Sequence, residues 1–175
     1  IISDNKIINH LKKIEYNPIN VLHFSLERNK IYSHINGFGV LAKPSDKLSF
    51  LGILFNSRIF PHLSPKKYDL ITVMVGGGKQ KNILKKTKKE IEERVISDIK
   101  KIINYKGKIT LLNHFSWKKG IPQYDMNFAN FENSIKKFMK KNDGFFIIGN
   151  YINGVSVSNC IKAGHQTALL LSEKV

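Results

Sequence analysis

The most informative part of the sequence is residues 149–161, which read GNYINGVSVSNCI. The stretch follows an apolar segment, 145–148, that is predicted to be a short strand, and it precedes a helix predicted from Cys160 to Leu171 with Ser158 or Asn159 as its cap. Glycines at such a junction let backbone amides approach a ligand, and a helix N-terminus adds partial positive charge. The stretch therefore predicts a site for electron-rich ligand oxygens, while a simple tight turn explains the same spacing.

The segments before this stretch predict an α/β chain. Thr87 followed by Glu90 has capping-box spacing, and apolar residues then recur at helical intervals, so a long helix is expected over 87–104. A second helix is expected from Phe128 until Gly144. Strands are predicted from runs of branched and aromatic residues closed by turn formers, at 20–26, 39–42, 50–56, 70–75 and 108–115.

Composition indicates a globular chain without a metal centre. At 175 residues, 42% of them hydrophobic, the chain can bury a core of ordinary size. Its single cysteine, Cys160, excludes an internal disulfide and a cysteine metal framework, and its six histidines lack metal-ligand spacing. The longest apolar stretch, 48–55, is far shorter than the roughly 20 residues of a membrane span. Because the sequence starts at Ile1 without Met, we expect a fragment.

A formal net charge of +16 raises the question of an anionic partner. Only three of the 29 basic residues are arginine, and lysine, isoleucine and asparagine are used heavily, as an AT-rich genome would favour. The lysines fall mainly on predicted solvated helix faces and lack interleaved aromatic residues for base stacking. We therefore expect no nucleic-acid partner, and peripheral contact with an anionic membrane surface remains compatible with the charge.

Several segments together resemble one enzyme family. Residues 149–164 are similar to the C-terminal flavin motif of FAD-dependent protoporphyrinogen oxidases, G-x-x-x-x-G-V-x-V-x-x-C-I-x-x-G. Other segments match that family in the same order: GFGVL at 37–41, LGILFNS at 51–57 with Phe60-Pro61, TVMVGG at 72–77, and Trp117 with IPQY at 121–124.

The resemblance implies an α/β fold in two parts. Residues 1–116 would belong to an α+β substrate-binding domain with a mixed or antiparallel sheet. Residues 117–175 would be the C-terminal part of a glutathione-reductase-like FAD-binding domain, ending in a strand and a helix. The G-x-G-x-x-G fingerprint, which the family carries in its N-terminal part, does not occur in the chain. The resemblance thus implies a missing N-terminal FAD-binding portion, and a fragment that is inactive alone.

The resemblance also assigns roles to individual residues. The positions implied to contact the flavin are Trp117, Asn150, Val155, Ser156 and Val157. The positions implied to line the substrate pocket are apolar, and ordinary strand core explains each of them equally well: Leu41, Leu54 and Met74. No acid, base or nucleophile of this chain is implied in catalysis.

The activity implied is oxidation of protoporphyrinogen IX to protoporphyrin IX in haem biosynthesis, with hydride passing to FAD and electrons then to dioxygen. The implied location is the cytoplasm, with peripheral contact at the inner face of the cell membrane. Two alternatives stay open: a coproporphyrinogen-oxidising or amine-oxidase-like flavoprotein, and a cofactor-less basic binding module from a degraded gene.

Overall fold

The structure is a computed structural model that describes residues 5–31, 37–78, 80 and 82–172. The chain forms two compact units. The sheet unit comprises residues 17–120, and the helical unit combines residues 1–16 with 121–175. These boundaries differ from the predicted division at 116/117, and the domain roles attached to that division stay a prediction.

The sheet unit contains a five-stranded sheet with the order β2-β3-β4-β1-β5. Adjacent pairs β2/β3, β3/β4 and β1/β4 are antiparallel, which confirms the predicted sheet type. The strands are β1 (Tyr16–Glu27), β2 (Gly39–Leu41), β3 (Gly52–Leu54), β4 (Tyr68–Gly76) and β5 (Ile109–Pro122). The α-helices of the described residues are α1 (Asn5–Lys12), α2 (Asn56–Ile59), α3 (Lys88–Ile102), α4 (Phe128–Lys141) and α5 (Val157–Ser172).

Side-chain alternation in the two central strands builds the main core. Every second residue of a strand faces the same side of the sheet, so one set of β1 and β4 residues is buried together. The apolar stripe of α3 is buried in the same cluster. The residues at its centre are Leu22, Phe24, Leu26, Ile71, Val73, Val75, Ile91, Val95 and Ile99.

The start of α3 follows from a local hydrogen-bond exchange. The Thr87 hydroxyl accepts from the Glu90 amide at 3.3 Å, and a Glu90 carboxylate oxygen accepts from the Thr87 amide at 2.8 Å. The predicted capping box is thereby confirmed. Hydrogen bonds from the backbone and then the side chain of Thr87 hold the pKa of Glu90 below its usual value.

The helical unit has its own smaller core, in which side chains of α1 and α4 and of the segment after α4 are buried together: Ile7, Ile135, Phe138 and Ile147. Two expectations differ from the structure here, and one element was not expected. Residues 145–148 form no strand within the described part of the chain, and the amide of Ile147 lies 3.3 Å from the sulfur of Met139 instead of pairing with a strand. Helix α5 begins at Val157 rather than Cys160, and α1 was not predicted.

We expect Tyr105→Phe to destabilise the sheet unit. The buried Tyr105 hydroxyl accepts from the Glu27 amide at 2.9 Å and donates to the Lys108 carbonyl at 3.0 Å. Its removal leaves both backbone groups without that partner, which costs about 1–3 kcal/mol. Urea denaturation of the purified chain measures the loss. The exposed Tyr68→Phe is the matched control and should change the free energy of unfolding by less than about 0.5 kcal/mol; equal stabilities of the two variants would contradict the role given to Tyr105.

Candidate functional site

The loop of residues 149–156 is closed on itself by short-range hydrogen bonds. The Gly149 carbonyl accepts from the amides of Ile152 and Asn153, at 3.1 and 3.0 Å. The Asn153 side-chain oxygen in turn accepts from the Gly149 amide at 3.3 Å. The loop therefore has a defined shape before any ligand is considered.

Tyr124, which lies just after β5, ties the two ends of this loop together. Its hydroxyl donates to the Asn150 carbonyl at 2.6 Å and accepts from the Gly154 amide at 3.1 Å. Its ring packs against Phe128 with a centroid distance of 4.3 Å. Tyr124 is thus a positioning residue of the loop. It belongs to the IPQY segment that resembles the family, but no role at the site was predicted for it.

Gly154 is required by the turn itself. Its φ of +101° lies in the region that favours glycine, and a Cβ there would collide with the side-chain amide of Asn159. A larger residue at this position would strain the loop whether or not a cofactor is present.

Ser156, rather than the predicted Ser158 or Asn159, caps α5. Its hydroxyl accepts from the Asn159 amide at 3.1 Å, and its carbonyl accepts from the Cys160 amide at 3.1 Å, the first bond of the helix. The first turn of α5 contains no acidic residue. Within the described part of the chain, the amides of Val157 and Ser158 have no acceptor. The helix start therefore offers free N–H donors and partial positive charge to a ligand.

The three residues predicted to line a substrate pocket lie on one face of the sheet. Leu41 is opposite Gly52, and Gly52 is opposite Met74, so side chains at these positions share a face. Leu54 lies two residues beyond Gly52 on the same face. This face is the one opposite the core under α3, and Leu41 is 85% exposed on it.

A family comparison identifies the chain. The model of the flavin-containing amine oxidoreductases matches residues 3–171. The chain belongs to this family. Membership implies a flavin cofactor, FAD.

Among relatives of known name, the chain is 32% identical to the mitochondrial protoporphyrinogen oxidase of Nicotiana tabacum over 168 residues, which cover 94% of this chain and 33% of that protein. It is 32% identical to protoporphyrinogen oxidase 2 of Arabidopsis thaliana, again over 94% of this chain and 33% of the relative. The chain thus spans about a third of the length of these relatives.

Two solved structures share the fold at low sequence identity. A putative protoporphyrinogen oxidase from Exiguobacterium matches with a TM-score of 0.72 and 14% identity over 94% of this chain and 37% of that one. Reduced UDP-galactopyranose mutase matches with a TM-score of 0.58 and 14% identity over 83% of this chain and 30% of that one. Both likenesses concern the fold.

The exposed surface at the start of α5 fits a flavin. Val155 and Val157 are 52% and 77% exposed, and Ile161, one turn further, is also exposed. Apolar side chains beside free amides suit a ligand with a flat ring and electron-rich carbonyl oxygens. The flavin contacts predicted for Asn150, Val155, Ser156 and Val157 stay a prediction, and these four residues lie in the helical unit.

Trp117 lies in the sheet unit, on β5, where its indole is exposed. It lines a small cavity of about 170 Å³ together with Lys88 and Ser116. Its predicted place near the flavin ring likewise stays a prediction.

A set of hydrogen-bonded polar side chains on the open face of the sheet was not predicted from the sequence. His23 is opposite Thr72, which is opposite Leu54, so all three share the face that carries Leu41 and Met74. The Thr72 hydroxyl donates to the Asn56 side-chain oxygen at 2.7 Å, so the His23 Nδ1 at 2.9 Å must be the donor to Thr72. The lone histidine in β1 carried no local signal for this arrangement, which depends on the strand register.

The described residues include no group of three or more His, Cys, Asp or Glu side chains arranged to hold a metal ion. Within the same described ranges, no helix has both the length and the apolar character needed to cross a bilayer.

We expect Tyr124→Phe to loosen the 149–156 loop without unfolding the helical unit. The variant keeps the ring that packs on Phe128 but loses both hydrogen bonds of the hydroxyl. The Gly154 amide should therefore exchange with solvent deuterium about fivefold faster, as expected for the loss of roughly 1 kcal/mol. Tyr68→Phe removes a hydroxyl in the sheet unit and should leave this rate unchanged. An unchanged Gly154 rate in Tyr124→Phe would show that the hydroxyl does not hold the loop.

Proposed function

We propose that the chain is part of an FAD-dependent protoporphyrinogen oxidase that converts protoporphyrinogen IX to protoporphyrin IX in haem biosynthesis. The observation that carries this proposal is the open apolar face of the sheet. Leu41 and Met74 flank Gly52 across three adjacent strands. The Leu41 side chain packs over Gly52, because one of its methyl carbons lies 3.2 Å from the position that a Cβ of residue 52 would take. Apolar side chains on one flat face suit a flat, largely apolar macrocycle.

The polar residues of the same face support a role in orienting the substrate. With Nδ1 of His23 donating to Thr72, the Nε2 of a neutral His23 ring is left as an acceptor. A few polar groups on an otherwise apolar wall are the usual means of fixing a ligand's orientation. Pyrrole N–H groups of a porphyrinogen are donors that such an acceptor could meet.

The helical unit supports the cofactor side of the proposal. The amides of Val157 and Ser158 would meet ligand oxygens, and the side chains of Val155 and Val157 would exclude water from a ring. The chemistry that bound FAD supplies is acceptance of hydride from the substrate. The chain's own contribution is shape, orientation and the positive end of α5.

We further propose dioxygen as the final electron acceptor and peripheral contact with a membrane surface. The net charge of +16 supports attraction to anionic lipid.

Leu41→Gln tests the substrate face in the complete flavin-loaded protein. Because Leu41 is 85% exposed, the substitution should leave the melting temperature nearly unchanged. If Leu41 contacts the macrocycle, kcat/KM for protoporphyrinogen IX should fall about tenfold, as expected for losing the burial of one leucine. The rate of porphyrin fluorescence measures it. Leu63→Gln is the matched control, because Leu63 is an exposed leucine in the short 3-10 helix Pro61–Leu63, outside the strands that carry Leu41, Leu54 and Met74, and it should keep the wild-type rate; equal kinetics of the two variants would remove Leu41 from the pocket.

Porphyrin fluorescence compares the two porphyrinogens, and the rate of flavin reduction, followed by absorbance, compares them with a primary amine. Faster turnover of coproporphyrinogen, or of a primary amine, than of protoporphyrinogen IX would replace the proposed substrate while keeping the family.

A second test concerns cofactor retention. The sequence lacks the G-x-G-x-x-G fingerprint that holds the FAD diphosphate, so the 175-residue chain incubated with FAD and desalted should retain far less than one FAD per chain. The complete protein should retain FAD at close to one per chain. Absorbance in the flavin bands measures both. Stoichiometric FAD on the 175-residue chain would contradict the expectation that a missing N-terminal portion is needed to hold the cofactor.

A further inference from the structure

A basic groove lies in the sheet unit, beside α3 and away from the open face of the sheet. It has a volume of about 700 Å³. Neither the 149–156 loop, the proposed flavin loop, nor the sheet face with Leu41, Leu54 and Met74, the proposed substrate face, contributes to it. Three cations and one carboxylate are among the side chains that line it: Lys47, Lys86, Arg94 and Asp98. Lys86 is paired with Glu90 at 3.6 Å, so the uncompensated positive charge comes from Lys47 and Arg94. An excess of positive charge around a concave surface favours an anionic ligand.

Arg94 is the most informative of these residues. The chain's other two arginines, Arg28 and Arg58, both pair with the buried Asp69, at 2.8 and 2.6 Å. Arg94 lies on α3, where the guanidinium makes no hydrogen bond or ion pair with any described residue. In a chain that otherwise uses lysine, a guanidinium without a carboxylate is suited to an external anion that it can bind through two parallel hydrogen bonds.

Lys47 adds an unusual backbone conformation at the rim of the groove. Its φ of 53° and ψ of 31° are left-handed, a region that glycine and asparagine favour and lysine rarely adopts. The turn thus holds a cation where a glycine would be less strained. A strained residue kept beside a concave surface points to a role for its side chain.

The remaining polar groups of the groove divide into those already bonded and those available. Asp98 accepts from the amide and the hydroxyl of Ser49, at 2.8 and 2.5 Å, and Gln80 donates to the carbonyls of Leu48 and Phe50. The Ser97 hydroxyl, one turn along α3 from Arg94, has no partner among the described residues. Among the described residues, the groups left available are thus the side chains of Lys47 and Arg94, the Ser97 hydroxyl and the side-chain amide of Asn82.

We propose that this groove binds a phosphate group. A phosphate presents several strong acceptor oxygens, which match the paired donors of Arg94, the point charge of Lys47 and the hydroxyl of Ser97. The phosphate can belong to a soluble ion or to the headgroup of an anionic lipid. The site does not depend on the proposed oxidase activity, since it shares no residue with the flavin loop or the substrate face.

Titration of the full 175-residue chain with inorganic phosphate, followed by amide chemical shifts of α3, tests the site. Arg94→Gln should weaken binding about tenfold, as expected for losing a charge-assisted hydrogen-bonded pair. Lys47→Gly should weaken binding severalfold while the melting temperature stays equal or rises, because glycine relieves the left-handed backbone. This combination separates a ligand contact from damage to the fold.

Lys101→Gln removes the same charge from the last turn of α3, outside the groove, and should bind phosphate like the wild type. A second arm measures binding to phosphatidylcholine vesicles with and without phosphatidic acid. Arg94-dependent binding to the acidic vesicles assigns the phosphate to a lipid headgroup, whereas Arg94-dependent binding of inorganic phosphate alone assigns it to a soluble ion. The proposal is overturned if Arg94→Gln binds both probes as the wild type does, or if Lys101→Gln loses as much affinity.

Discussion

The packing of α3 against one face of the sheet is the interaction on which the sheet unit depends. Ile91, Val95 and Ile99 of α3 are buried with alternate residues of β1 and β4. Because the strands are paired in register, this burial also determines which side chains of the remaining strands face α3. A shift of one residue in the register would move the whole apolar set to the wrong side. The same constraint places the remaining apolar residues, Leu41 among them, on the opposite face. Leu41 and Leu54 are exposed on this face although the sheet already has its core on the other side, and apolar residues grouped on one face are typical of a binding surface.

The loop of residues 149–156 depends on a second, more local constraint. The Tyr124 hydroxyl joins the Asn150 carbonyl to the Gly154 amide, and the glycine conformation at 154 leaves space for the Asn159 side chain. A bulky substitution at Gly154 would therefore disturb the turn directly, and a loss of flavin in such a variant would not show that the backbone touches the cofactor. Tyr124→Phe is the cleaner probe because its effect is confined to two hydrogen bonds. Preorganisation of this kind lowers the entropy cost of ordering a binding loop when the ligand arrives.

Sequence reasoning located the elements whose signals are local. Helix α3 was predicted within two residues of its observed end because its cap and its 3.6-residue period both lie within the segment. The strands were found at the right places, but β1 and β5 extend further than predicted, since strand ends depend on the neighbouring strand. The strand expected at 145–148 failed for the same reason: an apolar run becomes a strand only beside a partner, and none of the described strands pairs with it. At the site, motif resemblance pointed to the 149–161 loop, but the roles of Tyr124 and His23 come from contacts across 26 to 49 residues that no local pattern encodes.

The basic composition shows why a global property and a local site must be argued separately. A net charge of +16 spread over solvated lysines attracts any anion, but it does not distinguish one anion from another. Selectivity requires donors whose positions are set by the fold, because such side chains lose little conformational entropy when the anion binds. Arg28 and Arg58 meet this requirement internally, held by the buried carboxylate of Asp69, and they serve the fold. For Arg94 and Lys47 the fold sets the position of the backbone: one lies on α3 and the other in a left-handed turn, and both line the same concavity. Two cations whose backbone positions converge on one concavity are therefore the feature on which the proposed phosphate site rests, and lysines that face open solvent singly lack it.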